Sequence, residues 1–326
     1  MFALLPRFLL SVSLMVLLTC ASAQTYPDRP ITVISPFAAG GDADIAARNL
    51  APVAQRVLGQ SVIVVNRAGA SGAIGSLAVR NAKPDGYTLL LARVGSQAVL
   101  PALQKSLDYQ WNSFTFLGLL ELNPLVCAVR ADSAHKTLAD LAEALRARPG
   151  KLNYSTSGAG TILNFGPQLL FDVLGLGKDA AVQIAYKGGS EAALALIAGD
   201  VDFTCGNLTS LIGNLKGGKL RALVTTTPER LKDLPEVPTA REAGYPQLEA
   251  IVGWSALYGP PGLGQDIVAR WVAVLAAAAR DAQWIAATEK AGSAPRVLTP
   301  AETEKFVAEQ YAVYDKLGRR LGLELK

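Results

Sequence analysis

The feature that most constrains this chain is a unit that recurs along it: a short run of Val, Ile and Leu, a Gly/Ser-rich turn, then a helical apolar pattern. ITVISPF leads through Gly40 and Gly41 into DIAARNLAPVAQRVLG, VIVVN leads through RAGASG into AIGSLAVRNA, and YTLLLA leads into RVGSQAVLPAL. Beyond Pro124 the unit returns, as KLNYSTSGAGT before ILNFGPQLLFDVLG, VQIAYKGGS before EAALALIAG, and VDFTCGN before LTSLIGNLKGG. Continuous apolar strands alternating with helices predict an α/β fold with parallel sheets covered on both faces. In such sheets ligands bind at the turns that follow the carboxyl ends of the strands.

The repetition is interrupted twice. ELNPLVCAVRADS carries a strand past Pro124 to the helix TLADLAEALRARPG, for which Thr137 is the predicted cap with Asp140 three residues on. RALVTTTPERLKDLPEVPTAREAGYP holds four prolines and little periodicity, which predicts a long surface connection. GWSALYGPPGLG then reads as a strand and turn, followed by two amphipathic helices. The expected organisation is a discontinuous first lobe, 24–123 with 226–326, a second lobe, 124–225, and a two-stranded hinge between them. In the first helix, Ile45, Asn49, Val53 and Val57, with Leu50 and Ala54 beside them, predict the stripe that packs on the sheet; Pro52 predicts a bend near Asn49.

Residues 1–23 stand apart. Arg7, the apolar run FLLSVSLMVLL and the small residues Ala21 to Ala23 read as a secretory signal peptide cleaved after Ala23, too short to span a membrane as a helix of about 20 residues. Lipid attachment at Cys20 is the competing reading, disfavoured by Thr19 before it. The mature chain is then expected to begin near Gln24 and to work outside the cytoplasm. No later apolar run reaches membrane-spanning length. The net charge of +4 is scattered among both signs, without the basic runs that nucleic acids select. Cys127 and Cys205 remain after processing, and their apolar surroundings leave a disulfide and two buried thiols equally open.

Reaction chemistry finds few candidates. There is no G-x-S-x-G elbow, and the single histidine, His135, lies in a polar turn. Two cysteines and one histidine do not make a conventional zinc site. GASGAIG lacks the Lys-Ser/Thr of a phosphate-binding loop. Asp42 and Asp44 have the composition of an acid/base pair, but nothing in the pattern predicts their burial. The turns Gly40–Gly41, Gly69 to Gly72, Gly95–Ser96, Ser155 to Thr161, and Gly188 to Ser190 instead gather small hydroxyls and free N–H groups suited to a carboxylate.

YPDRPITVISPFAAGGDADIAAR, LGQSVIVVNRAGASGAIGSLAVRNAKPDGYTLLL, RPGKLNYSTSGAGT, AYKGGSEAALALIAGDVD, GKLRALVTTTPERLKDLPEVPTAREAGYP and GWSALYGPPG occur in this order over essentially the whole mature chain. Together they resemble the substrate-binding receptors of tripartite tricarboxylate transporters, the Bug-type proteins. The resemblance implies a two-lobed periplasmic binding protein of type II architecture, non-enzymatic, without cofactor or metal, monomeric, which binds a small organic acid and delivers it to membrane subunits. It implies a cleft built from Phe37, Ala39, Gly40, Gly41 and Asp44, from Asn66, Gly69, Ser71 and Gly72, and from Gly95 and Ser96 on the first lobe. The second lobe would contribute Ser157, Gly158, Gly160 and Thr161, then Lys187 and Gly188, then Asn207 and Ser210. In that pattern the first two loops grip a carboxylate, partly through water, and the other lobe sets selectivity. Asp42 or Asp44 would cap the helix or fix neighbouring turns, with Asp44 available to a ligand ammonium. Ala68, Asn164, Arg93 and Val94 depart from the family's common residues; Arg93 is either a second carboxylate partner or a solvated arginine at a strand end. The alternatives are a periplasmic hydrolase or isomerase using Asp44 or Lys187, and a receptor that presents its ligand to a membrane sensor.

Overall fold

The computed structural model describes residues 26–325; the signal-peptide and Cys20 expectations fall outside them. The chain lays down β1 (Ile31–Ser35), α1 (Asp42–Leu58), β2 (Val62–Asn66), α2 (Ala73–Arg80), β3 (Thr88–Arg93), a π-helical turn over Gly95–Val99, α3 (Leu100–Leu103) and β4 (Thr115–Asn123). After Pro124 come β5 (Leu125–Arg130), α4 (Leu138–Ala147), β6 (Leu152–Thr156), α5 (Ile162–Val173), β7 (Ala181–Ala185), α6 (Gly189–Ala198), β8 (Phe203–Asn207), α7 (Leu208–Lys216) and β9 (Leu220–Thr225). The chain then returns through β10 (Gly253–Gly259), α8 (Gln265–Ala278), α9 (Ala282–Lys290), β11 (Ala294–Leu298) and α10 (Pro300–Leu321).

Two sheets result, one per lobe. The first has the order β11-β4-β10-β3-β1-β2, the second β7-β6-β8-β5-β9. Strands β1, β2 and β3 run parallel, as do β6, β7 and β8. The sheets are nevertheless mixed rather than wholly parallel. Strand β10 is antiparallel to β3 and β4, and β5 is antiparallel to β8 and β9. These are the strands nearest the two crossings, where the chain leaves one sheet and enters the other instead of returning through a covering helix.

Helix α1 packs differently from the predicted stripe. Ala43, Ala46, Ala47, Leu50, Val53 and Ala54 are buried, whereas Val57 is 41% exposed. The alanines let α1 lie close between the sheet and α8, so small side chains define the contact more than the larger ones do. Pro52 lies inside this single helix. At α4 the expected cap forms: Thr137 Oγ1 accepts the Asp140 N–H at 3.1 Å, and the Asp140 carboxylate accepts the Thr137 N–H at 2.9 Å. The proline-rich connection is less superficial than its sequence suggests. Its first residues form β9, and Leu234, Val237 and Ala240 are buried, the first two packing with Leu211, Leu215 and Leu220 of the second lobe.

Helix α10 touches both lobes. It runs alongside β4 and α3, yet Tyr314 stacks edge-to-face on Phe165 at 5.1 Å and Arg320 pairs with Asp172 at 3.0 Å. Just beyond it, the Leu325 N–H donates to the Leu103 carbonyl at 2.8 Å. Among the described residues no helix is long and apolar enough to cross a membrane.

Cys127 and Cys205 face each other across the β5–β8 pair and are disulfide-bonded, both almost wholly buried. The link closes a loop of 78 residues. On chain entropy such a loop is worth about 4 kcal/mol. Melting curves with and without reductant, and of the Cys127→Ser/Cys205→Ser double variant, are expected to show a large loss of stability on opening the bond; unchanged melting would mean that packing alone holds β5 to β8.

Candidate functional site

The parallel strands of both sheets end against one another. Loops after β1, β2 and β3 meet loops after β6, β7 and β8, and the lobes touch directly. The Ala38 N–H donates to the Lys187 carbonyl at 3.2 Å, Ser190 Oγ to the Ala39 carbonyl at 3.0 Å, and the Gly160 N–H to Ser71 Oγ at 3.2 Å. Glycine permits this approach. A Cβ on Gly188 would lie 3.0 Å from that of Ala38, and one on Gly158, whose φ is +121°, would lie 2.4 Å from Ser71 Oγ.

Two hollows lie along this contact. The outer, about 440 Å³, is lined by Phe37, Gly69 to Gly72, Ser157, Gly158, Ala185 to Lys187 and Glu191. The inner one, only about 20 Å³ with the lobes in contact, adds Asp42, Arg93, Gly95, Thr161 and Asn207. A larger cavity of about 690 Å³ lies on the second lobe between α4, β9 and the proline-rich connection, and none of the expected site residues lines it. His135 is half-buried in the turn before α4, with its N–H donating to Ser133 Oγ.

Most residues expected at the cleft are thus brought together, with distinct positions. Phe37, Gly69, Ser71, Gly72, Gly95, Ser157, Gly158, Thr161, Lys187 and Asn207 line the hollows. Ala39, Gly40, Gly41, Gly160, Gly188 and Ser210 lie at or beside the contact between the lobes. Asn66 supports the first loop, its Nδ2 donating to the Phe37 carbonyl at 3.1 Å, and Ser96 is fully buried behind Gly72. On the second lobe, Thr161 Oγ1 donates to the Gly158 carbonyl at 2.7 Å, and Asn164 Nδ2 donates to that of Ala159 at 3.0 Å.

The two aspartates divide the tasks offered to them. Gly41 takes the N-cap position of α1, so neither aspartate is the cap residue. Asp44 lines neither hollow; its carboxylate accepts the Gly40 N–H at 3.0 Å and Arg48 Nε at 2.9 Å. Burial raises the Asp44 pKa, but Arg48, the Gly40 N–H and Asn66 outweigh it and hold the carboxyl below the usual aspartate range. Asp42 reaches across to the second lobe, accepting Asn207 Nδ2 at 2.6 Å and Ser210 Oγ at 2.5 Å. Both aspartates are buried, which their surroundings in the sequence had not signalled.

Arg93 is not a solvated strand-end residue: it is 3% exposed. Its guanidinium donates to Asn123 Oδ1 at 2.7 Å, to Ser255 Oγ, and to Asp42 Oδ2 at 3.4 Å, and it lies 4.0 Å from Glu121. Ser255 donates in turn to Glu121, and Asn123 to Glu121 and Ser293. Glu121, Asn123, Ser255 and Ser293 went unforeseen. The available signal was one carboxylate inside the apolar run FLGLLELN, a placement that requires buried partners. Burial pushes the Glu121 carboxyl above the usual glutamate range, against the pull of Arg93, Asn123 and Ser255.

A raised folded-state pKa means that the stabilisation from protonated Glu121 is complete below the unfolded value and lost as pH rises through the folded one. Glu121→Gln is therefore expected to melt increasingly above the wild-type protein as pH rises beyond about 4.3, the ordinary glutamate value. Glu121→Ala should lose about 1–3 kcal/mol by stranding buried partners. Melting curves across pH check both; a constant offset between wild type and Glu121→Gln contradicts the assigned protonation.

With this geometry in view, the chain matches the model of the family described as Tripartite tricarboxylate transporter family receptor over residues 46–323. BugT of Bordetella pertussis is 33% identical over 308 residues, 94% of this chain and 93% of that protein. Among solved structures, MatC from Rhodopseudomonas palustris with bound malate has a TM-score of 0.84 at 29% identity, covering 89% of this chain and 99% of that one. R. palustris Rpa4515 with adipate has a TM-score of 0.86 at 28% identity, covering 91% and 98%. The two-lobed α/β fold, the facing loops and the sequence match converge: this chain belongs to the tripartite tricarboxylate transporter receptor family.

Proposed function

We propose that this protein is a periplasmic, non-enzymatic receptor that binds a small carboxylate-bearing organic acid between its lobes and delivers it, as a monomer, to tripartite transporter membrane subunits. The observation that carries the reading is the meeting of two sets of strand-end loops across hollows lined by glycines and small hydroxyls, which offer free backbone donors to an anion. The malate and adipate held by the two R. palustris relatives belong to the same chemical class. The buried disulfide suits an oxidising compartment, in keeping with the secretory reading of residues 1–23. In this reading lobe 1 comprises 24–123 and 226–326, lobe 2 comprises 124–225, and the loops at Phe37 to Gly41, Asn66 to Gly72 and Gly95–Ser96 close on Ser157 to Thr161, Lys187–Gly188, Asn207 and Ser210. The enzyme alternative loses one of its candidates, because Asp44 is engaged by Arg48 and the Gly40 N–H.

Ligand binding then works by favouring the closed arrangement through contacts made only there. Calorimetry and thermal shift with malate, adipate, citrate, benzoate and amino acids are expected to find at least one carboxylate that binds and raises the melting temperature. Turnover of a substrate without any such binding overturns the receptor reading. Gly188→Val places a side chain against Ala38 without requiring a strained φ. It should fold normally yet bind that carboxylate at least tenfold more weakly, and unchanged affinity would show that the lobes do not close through this contact.

A further inference from the structure

Two opposite charges lie side by side at the inner end of the cleft. Asp42 and Arg93 both line the narrow hollow, and both are buried. Each has its shorter hydrogen bonds elsewhere: Asp42 to Asn207 and Ser210 of the second lobe, Arg93 to Asn123 and Ser255 beside the hinge. Their direct contact, 3.4 Å, is the longest of these hydrogen bonds. The outer hollow repeats the balance with one Lys187 and one Glu191. The charged side chains lining the two hollows thus balance, and Asp42 adds a carboxylate to a cleft whose remaining donors to an anion are backbone N–H groups and hydroxyls.

We propose that Asp42 is the specificity-determining residue of this cleft and, paired with Arg93, selects ligands that carry an ammonium group beside a carboxylate over acids of the same skeleton without it. The inference rests on the receptor reading above. The hollow is about 20 Å³, so the lobes must part and Asp42 must release Asn207 or Ser210 to admit a ligand end. A zwitterionic end then brings one charge of each sign to one of each sign, its carboxylate facing the Arg93 guanidinium and its ammonium donating to the Asp42 carboxylate. A plain carboxylate in that place leaves Asp42 facing an anion in a site with little water to screen the repulsion. Glu121, behind Arg93, supplies no compensating positive charge. Asp44, held in its own loop by Arg48 and Gly40, is not the ammonium partner.

Calorimetry on the mature protein with matched pairs tests this: succinate against aspartate, glutarate against glutamate, butanoate against 2-aminobutanoate, with malate and adipate alongside. Wild type is expected to bind the amino member at least tenfold more tightly in every pair that binds. Asp42→Asn, which keeps the shape and removes the charge, should cut that preference at least tenfold, and Asp42→Ser should do the same. Equal or tighter binding of the plain acid, or a preference that survives both substitutions, overturns the proposal while leaving the receptor reading intact. Binding of malate or adipate with no amino acid bound has the same meaning. No binding by any of these compounds overturns the amino-acid preference, and the wider carboxylate panel then decides the receptor reading separately. If neither variant folds, the wild-type ratios alone decide.

Discussion

A guanidinium that is shut away from water must have its hydrogen bonds supplied by the protein, and the centre of this molecule is arranged around that requirement at Arg93. Its partners come from different parts of the fold: Asn123 at the end of β4, Ser255 in β10 and Asp42 at the start of α1. Asn123 immediately precedes Pro124, where the chain passes into the second sheet, while Asp42 reaches Asn207 and Ser210 on that sheet's side of the cleft. One buried cation therefore ties the floor of the cleft to the strand that crosses between the lobes. The same requirement accounts for Glu121 and Ser293, which have no evident purpose in isolation but complete the hydrogen bonding of Asn123 and Ser255.

Much of the architecture is legible in the sequence because it follows from local rules. The period of apolar residues separates strands from helices, the Gly/Ser turns mark strand ends, and Thr137 with Asp140 announces α4. The antiparallel members of each sheet are less legible, since a buried strand reads the same in either direction; only the order in which the sheets are assembled decides it. Helix α1 shows a second limit. Hydrophobic size pointed to Ile45 and Val57, but the tight space against α8 selects alanines, and that space is set by residues more than two hundred positions away.

The cleft divides in the same way. Backbone-dominated loops could be recognised because Gly and Ser in such turns have few other uses, and those loops are where the lobes meet. The charged network could not, because hydrogen bonding between Arg93 and Ser255 joins positions 162 residues apart. Asp44 stands at the spacing from Arg48 of an ordinary helical ion pair, and such a pair is what it forms. Its neighbour Asp42 lacks any local partner of that kind, and this absence is what leaves it free to reach the opposite lobe.

Helix α10 adds a mechanical consequence. Because Tyr314 rests on Phe165 and Arg320 pairs with Asp172, the lobes are fastened along one edge by more than their two crossing strands. When two rigid bodies turn about such a fastened edge, displacement grows with distance from the axis. A rotation that preserves the Tyr314–Phe165 contact therefore opens the lobes most at the loop contacts that lie furthest from those two rings.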